Sequence, residues 1–350
     1  MFVSPVVLVL GIFLVAPIFM ALWVSFSDWN GQGSPFASSV NYVGARNYAN
    51  LVTAPGLTQT DFMTSIRNNA YFVAFVVPTQ TALALGLALI LNNKRLKAKS
   101  FFRTAYYFPS VTSSVAISVV FLFLFSSSGV INAALNTIGV KGPNWFADPR
   151  GLFHVLLGGL GVNTDTPPTT LTQHSLGGLS WWNWLAGPSV AMCAIIALVI
   201  WTTAGTFMLF FLAALQDIPV EVEEAAEIDG ANAWQRFRRV TLPLLRPTMF
   251  LVLTLGVIGT WQVFDQIYLM SQGSPGKTTL TPAYLSYQSS FTNFEWGQGA
   301  AIAFILFALI VLLTLGQRWL LREKDGPSRR ELRRRAHQTS RALRAAGPGA

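Results

Sequence analysis

Residues 221–247 read EVEEAAEIDGANAWQRFRRVTLPLLRP, acidic in the first half and basic in the second, with a long apolar run on either side. A polar segment this well patterned, set between two such runs, reads as a water-exposed connection between two membrane spans.

The whole chain supports a membrane setting. Its 350 residues are 52% hydrophobic and 11% charged, with a mean hydropathy of +0.46. Soluble domains carry about 25% charged residues. The single cysteine, Cys193, lies in an apolar run. That excludes a disulfide framework or a cysteine metal site and fits a small buried apolar residue. The net charge of +9 matters through its placement rather than its size.

A helix needs roughly 20 apolar residues to cross a bilayer core. Six runs qualify, near 2–24, 70–91, 104–125, 189–213, 248–270 and 299–321. LFHVLLGGLGV at 152–162 is too short to cross and reads as a re-entrant or surface piece. The connection 92–103, the segment 214–247 and the tail 322–350 together hold 18 Lys and Arg, against 5 in the other three connections. The positive-inside rule then places both termini in the cytoplasm. Trp23, Trp29, Trp181, Trp182, Trp184, Trp296 and Trp319 fall at span ends, as an interfacial belt requires. No basic region precedes the first run, so a cleaved signal peptide is a poor reading.

Within the opening stretch, Asp217 suits an N-cap and Pro219 the first helical turn. Glu221, Glu223 and Glu224 sit near the positive end of that helix. Gly230 marks its C-terminus, because glycine tolerates positive φ. A second helix is expected over 231–240, with Pro243 and Pro247 closing the segment. Two readings stand: a solvated, well-capped loop, or a slim helix for a groove on another protein, since Ala225, Ala226, Ala231 and Ala233 keep the surface narrow.

The pattern Glu224-Ala225-Ala226, then Gly230, then Leu242-Pro243 resembles the EAA motif of permease subunits of bacterial ABC importers. SFSDWN at 25–30, YVGARNY at 42–48, RNNAYF at 67–72, SFFRTAYYFPS at 100–110 and FDQIYLMSQGSP at 264–275 resemble the carbohydrate-uptake permeases of the maltose and glycerol-phosphate type. The resemblance spans most of residues 1–321. It implies an all-α membrane protein with the six-helix type I ABC importer permease fold, in the bacterial cytoplasmic membrane. Segment 214–247 would carry a coupling helix whose Glu224, Ala225, Ala226 and Gly230 dock on a cytoplasmic ATPase dimer. A second permease and an extracytoplasmic substrate-binding protein would complete the machine. ATP and Mg would sit on the ATPase, and this chain would hold no cofactor. ATP-driven closure of the ATPases, transmitted through the coupling helix, would switch the cavity from inward-facing to outward-facing.

Two regions exceed the family pattern. Residues 150–188 form an external insertion whose Pro-Thr-rich centre reads as a loop. It is either tolerated variation or a contact for the binding protein. The Arg-rich tail 322–350 reads as disordered and drawn to anionic lipid, not nucleic acid.

Polar and aromatic groups inside spans mark candidate transport paths. Trp261, Gln262, Phe264 and Asp265 crowd the fifth span, and in maltose-type relatives this stretch lines the sugar cavity. The plainer reading is a solvated Asp265 and a packing Trp261. Trp201 and Gly205 in the fourth span form a weaker set. Thr202 and Thr203 carry little information, because threonine bonds its own helix.

GKTT at 276–279 matches the end of a phosphate-binding loop but lacks its first glycine, so ATP hydrolysis on this chain is not expected. No metal motif and no serine-hydrolase motif appears, so the chain is not expected to be an enzyme. The rival class is an ATPase-independent secondary transporter or channel. It would need a coupling-ion site in the membrane and leaves 217–247 unexplained.

Overall fold

The computed structural model describes residues 3–93, 95–161 and 168–320. The tail 322–350 and the centre of the Pro-Thr-rich stretch lie outside the described residues.

The chain opens with α1 (Ser4–Leu10) and α2 (Ala16–Ser25), joined through a π-helical turn, Gly11–Val15, into one helix of 22 residues. Only Val24 and Ser25 at its end are buried. After the short α3 (Arg46–Val52) comes α4 (Leu57–Asn92), 36 residues long. At about 1.5 Å per residue α4 is much longer than the bilayer core. The sequence marked only 70–91, because the preceding turns are polar; Arg67, Asn68 and Asn69 are nevertheless buried.

The third run, expected as one span over 104–125, is two helices. α5 (Lys99–Val111) and α6 (Ser114–Leu124) meet at 96°. Thr112 and Ser113 are extended there, with ψ of 146° and 129°, and Pro109 removes a backbone donor in the last turn of α5. α7 (Val130–Thr137) follows.

The insertion carries regular structure on both sides of the Pro-Thr-rich centre that the sequence marks as a loop. It contains α8 (Leu152–Gly159), α9 (Thr169–Gln173), a hairpin of β1 (Ser175–Leu176) and β2 (Leu179–Ser180), and α10 (Trp181–Trp184). α8, at 8 residues, is too short to cross a membrane. The hairpin turns at Gly177 and Gly178, both at positive φ, and seats on α4: a Cβ at Gly177 would lie 2.6 Å from Met63 Cγ. Tyr71 Oη donates to the Trp184 carbonyl, tying α10 to α4 as well.

α11 (Val190–Gln216) is capped by Ser189, whose Oγ accepts from the Met192 N–H at 3.0 Å. It is the most buried of the four long apolar helices, with 56% of its apolar window enclosed, and packs along α4. Phe72, Ile195, Ile267 and Ile302 centre one core cluster, and Ala84, Met208, Phe211 and Leu245 another.

α12 (Val220–Ile228) precedes α13 (Ala233–Arg236), a π-helical turn Phe237–Thr241, and α14 (Leu242–Leu244). α13 to α14 form one helical stretch through Pro243, so Pro243 does not close it as expected. This stretch meets α15 (Arg246–Trp261) at 68°. The expected span 248–270 is also broken. α15 ends at Trp261, and the helix restarts as α16 (Asp265–Met270). α17 (Pro282–Tyr287), a π-helical turn Gln288–Thr292, and α18 (Trp296–Leu320) complete the chain.

Among the described residues, four helices are long and apolar enough to cross a membrane, or up to six segments if each bent pair is one span. Broken helices at membrane depth occur where non-helical backbone is enclosed by protein or lines a cavity, which directs attention to the break after Trp261.

Candidate functional site

The polar segment folds as a helix pair around a tight turn. Pro219, not Asp217, is the N-cap of α12, and it offers no side-chain cap. Asp217 ends α11 instead, its N–H donating to the Ala213 carbonyl. Gly230 has φ +75°. Its N–H donates to the Glu227 carbonyl and that of Ala231 to the Ala226 carbonyl, both at 3.0 Å, the paired bonds of a Schellman turn. Asn232 then starts α13 two residues later than expected, in a reciprocal capping box with Gln235 at 2.8 and 2.9 Å. An Arg236–Glu227 ion pair clips the two helices together.

Glu224, Ala225 and Gly230 are exposed and Ala226 is half-buried. Ile228 and Trp234 are 86% and 65% exposed beside the turn. A stiff loop thus presents carboxylates and bare apolar side chains together, while no residue of α12 is buried.

The second candidate region lies at the break after Trp261. A cavity of about 310 Å³ sits between α4, α11 and α15, and Gln262, Phe264 and Asp265 line it with Gln80, Thr203 and Gln266. These three candidates do not share one helix as the sequence reading had it: Gln262 ends α15, Phe264 precedes α16, and Asp265 opens it. Asp265 is exposed and forms no salt bridge among the described residues. A second cavity of about 290 Å³, under Ser110, Thr112 and Thr206, shares Thr203, Phe207 and Gln266 with the first.

Trp261, Trp201 and Gly205 face elsewhere. Trp261 is buried against Leu306 and Ile310, and its carbonyl accepts from Asn69 Nδ2 at 3.0 Å. Trp201 is 48% exposed and packs on Phe121 at 5.6 Å. Gly205 is a close-approach position, since a Cβ there would lie 2.2 Å from the Tyr106 carbonyl oxygen of α5.

Sequence reasoning passed over Gln80 and Thr203. Gln80 is 1% exposed. Thr203 Oγ1 lies 2.6 Å from Gln80 Oε1 and 2.7 Å from the Val199 carbonyl oxygen, so this threonine bonds its own helix and reaches across to α4. The other end of the Gln80 amide, Nε2, has no hydrogen-bond partner. A lone amide inside an apolar run was the available signal.

Aromatic rings lead away from the cavity. Phe264 lies 5.3 Å from Tyr287, Tyr287 5.1 Å from Phe291, Phe291 4.7 Å from Trp296, and Trp296 5.3 Å from Trp29.

Comparison with known proteins gives the class. A family model described as binding-protein-dependent transport system inner membrane component matches residues 80–325, and the chain belongs to that family. It is thus a multi-pass transport component and not an enzyme. The lactose transport system permease protein LacF of Rhizobium radiobacter is 29% identical over 327 residues, covering 93% of this chain and 94% of that protein. The arabinooligosaccharides transport system permease protein AraP of Halalkalibacterium halodurans is 30% identical over 322 residues, 91% of this chain and 85% of that one. Among solved structures, a bacterial ABC transporter involved in the import of the acidic polysaccharide alginate has the same fold. Its TM-score is 0.67 at 20% identity, over 92% of this chain and 94% of that chain.

Proposed function

We propose that this chain forms part of the translocation path of an ATP-driven carbohydrate importer and couples that path to a cytoplasmic ATPase through α12. The observation that carries the proposal is the cavity at the break after Trp261. Amide, hydroxyl and carboxylate groups (Gln80, Thr203, Gln262, Asp265, Gln266) face it beside the aromatic walls of Phe72, Phe207 and Phe264. Apolar faces with a few placed polar groups suit a small organic ligand, and a sugar presents both kinds of surface. Relatives are named for lactose, arabinooligosaccharides and starch degradation products, which supports the substrate class.

In this reading the exposed α12–α13 turn inserts into a groove on the ATPase, with Glu224, Ala225, Ala226 and Gly230 at the contact. Both chain termini lie on that side. ATP and Mg are held by the ATPase dimer, a second permease covers the other side of the path, and an extracytoplasmic binding protein delivers sugar. A similar fold is known in complex with an alginate pentasaccharide-bound periplasmic protein, which supports the last partner.

The test is uptake of radiolabelled oligosaccharides by the host with the gene intact and deleted. Loss of energy-dependent uptake of at least one sugar, restored by the wild-type gene but not by Asp265→Ala, supports the proposal. Unchanged uptake across a neutral and an acidic sugar panel refutes it.

A further inference from the structure

We infer that a third pocket, apart from the two cavities already described, binds a carboxylate. It measures about 290 Å³ and lies where the N-terminal half of α4 meets the folded insertion; Arg67, Arg150, His154 and Thr278 are among its lining residues.

Its central charge lacks a counter-ion among the described residues. Arg67 is 9% exposed. Its Nε and Nη2 donate to Asn68 Oδ1 at 3.3 and 2.8 Å, and Nη1 donates to the Asn183 carbonyl at 3.1 Å. Both acceptors are neutral, and a guanidinium has further N–H donors. Among the described residues, Asp61 and Asp148 are the carboxylates on the segments that build the pocket, and each is engaged by another cation. Asp61 pairs with Lys277 at 2.7 Å and Asp148 with Arg150 at 2.6 Å. A buried guanidinium without an anion is costly, so the site is set up for one supplied from outside.

A second polar atom on the wall is also unpaired. His154 stacks on Trp182 with ring centroids 4.2 Å apart, and its buried Nε2 has no hydrogen-bond partner. The backbone around the pocket is held firmly. The Leu152 N–H donates to the Pro188 carbonyl at 2.8 Å and the Val190 N–H to the Arg150 carbonyl at 3.1 Å. Gly151 permits this contact, since a Cβ there would lie 2.1 Å from the Ala186 carbonyl oxygen. The pocket is therefore preorganised, and the planar, bidentate chemistry of arginine matches a carboxylate.

The inference does not depend on the sugar proposal. The carboxylate has two sources, a free sugar acid or an acidic side chain of a docked protein, and one titration separates them. The full-length chain in detergent is titrated calorimetrically with sodium glucuronate, sodium acetate and glucose at constant ionic strength. Saturable binding of glucuronate tighter than that of acetate supports a sugar-acid site. Equal, weak binding of both supports a site for a side-chain carboxylate. Glucose gives no saturable heat from this pocket in either case. Arg67→Gln is expected to weaken carboxylate binding by about tenfold or more, as loss of a charge-assisted hydrogen bond predicts, and Arg67→Lys to retain part of it. Thr278→Glu, which places a carboxylate at the pocket wall without removing Arg67, is expected to abolish binding in a folded chain. No saturable carboxylate binding by the wild type, or affinity unchanged in Arg67→Gln or Thr278→Glu, overturns the inference.

Discussion

Thr203 Oγ1 on α11 and Gln80 Oε1 on α4 lie 2.6 Å apart at the cavity wall. The amide's other end faces Gly256 of α15, where an added Cβ would sit 2.6 Å from Gln80 Nε2. Three helices thus meet at one glutamine. Gly256→Ala is expected to push that amide aside and destabilise the chain by about 1–3 kcal/mol, the usual cost of overpacking. Thermal unfolding in detergent measures it, and a melting temperature equal to wild type would show that Gln80 has room to move.

Gly230 offers a cleaner backbone test. Nothing lies within 4 Å of a Cβ built there, yet φ is +75°. Gly230→Val is expected to cost about 1–2 kcal/mol locally through the left-handed conformation alone, opening the α12–α13 turn. Gly230→Asn should largely retain it, because asparagine tolerates that region. Amide hydrogen exchange across 225–236 reads the difference. Equal protection in both variants would rule out the Schellman turn as the source of stiffness.

Trp261 and Asp265 were neighbours in the sequence argument and part company in the fold. Trp261→Ala should lower stability by about 3–5 kcal/mol, as for a buried aromatic. Asp265→Asn should leave stability within about 0.5 kcal/mol while reducing sugar uptake. Paired melting curves and uptake assays decide it, and the reverse pattern would move the path to the other side of α15.

The insertion end of the molecule should weaken in acid. Hydrogen bonds from Arg150 hold the Asp148 carboxyl below its ordinary value. A lowered carboxylate pKa adds stability that is present above the unfolded value, near 3.9, and is lost as pH falls through the folded one. Burial also holds the His154 imidazole below its ordinary value, so its neutral form is favoured in the fold and stability falls as pH drops below about 6.5. Proteolysis of 150–188 at pH 8, 6 and 4 should quicken in that order in the wild type. His154→Phe should remove that pH dependence, and a rate flat from pH 8 to 4 would contradict the His154 assignment, whereas the Asp148 contribution is read only below about pH 3.9.

Much of the architecture was legible where chemistry is local. The acidic start of α12, Gly230 and the alanines marked a helix and its turn, because dipole, φ and side-chain size act within a few residues. The breaks were not legible. Thr112–Ser113 and Gln262–Phe264 sit inside runs long and apolar enough to read as single spans, and tertiary packing decides that the helix stops at these residues. The same limit hid Gln80, whose role depends on α11 and α15 arriving beside it. It also hid the close approach at Gly205, where an added Cβ would meet the Tyr106 carbonyl oxygen. The hairpin in the insertion is not legible either, because it has two residues per strand and is held by α4 rather than by its own pattern.

The most direct test of the coupling claim is affinity purification of the tagged full-length chain from its host in mild detergent, with co-purifying proteins identified by mass spectrometry. The account predicts an ATPase and a second multi-span permease with the wild type, and loss of the ATPase but not the permease with Gly230→Val. Purification of the wild-type chain alone, under conditions that keep a known importer intact, would contradict it.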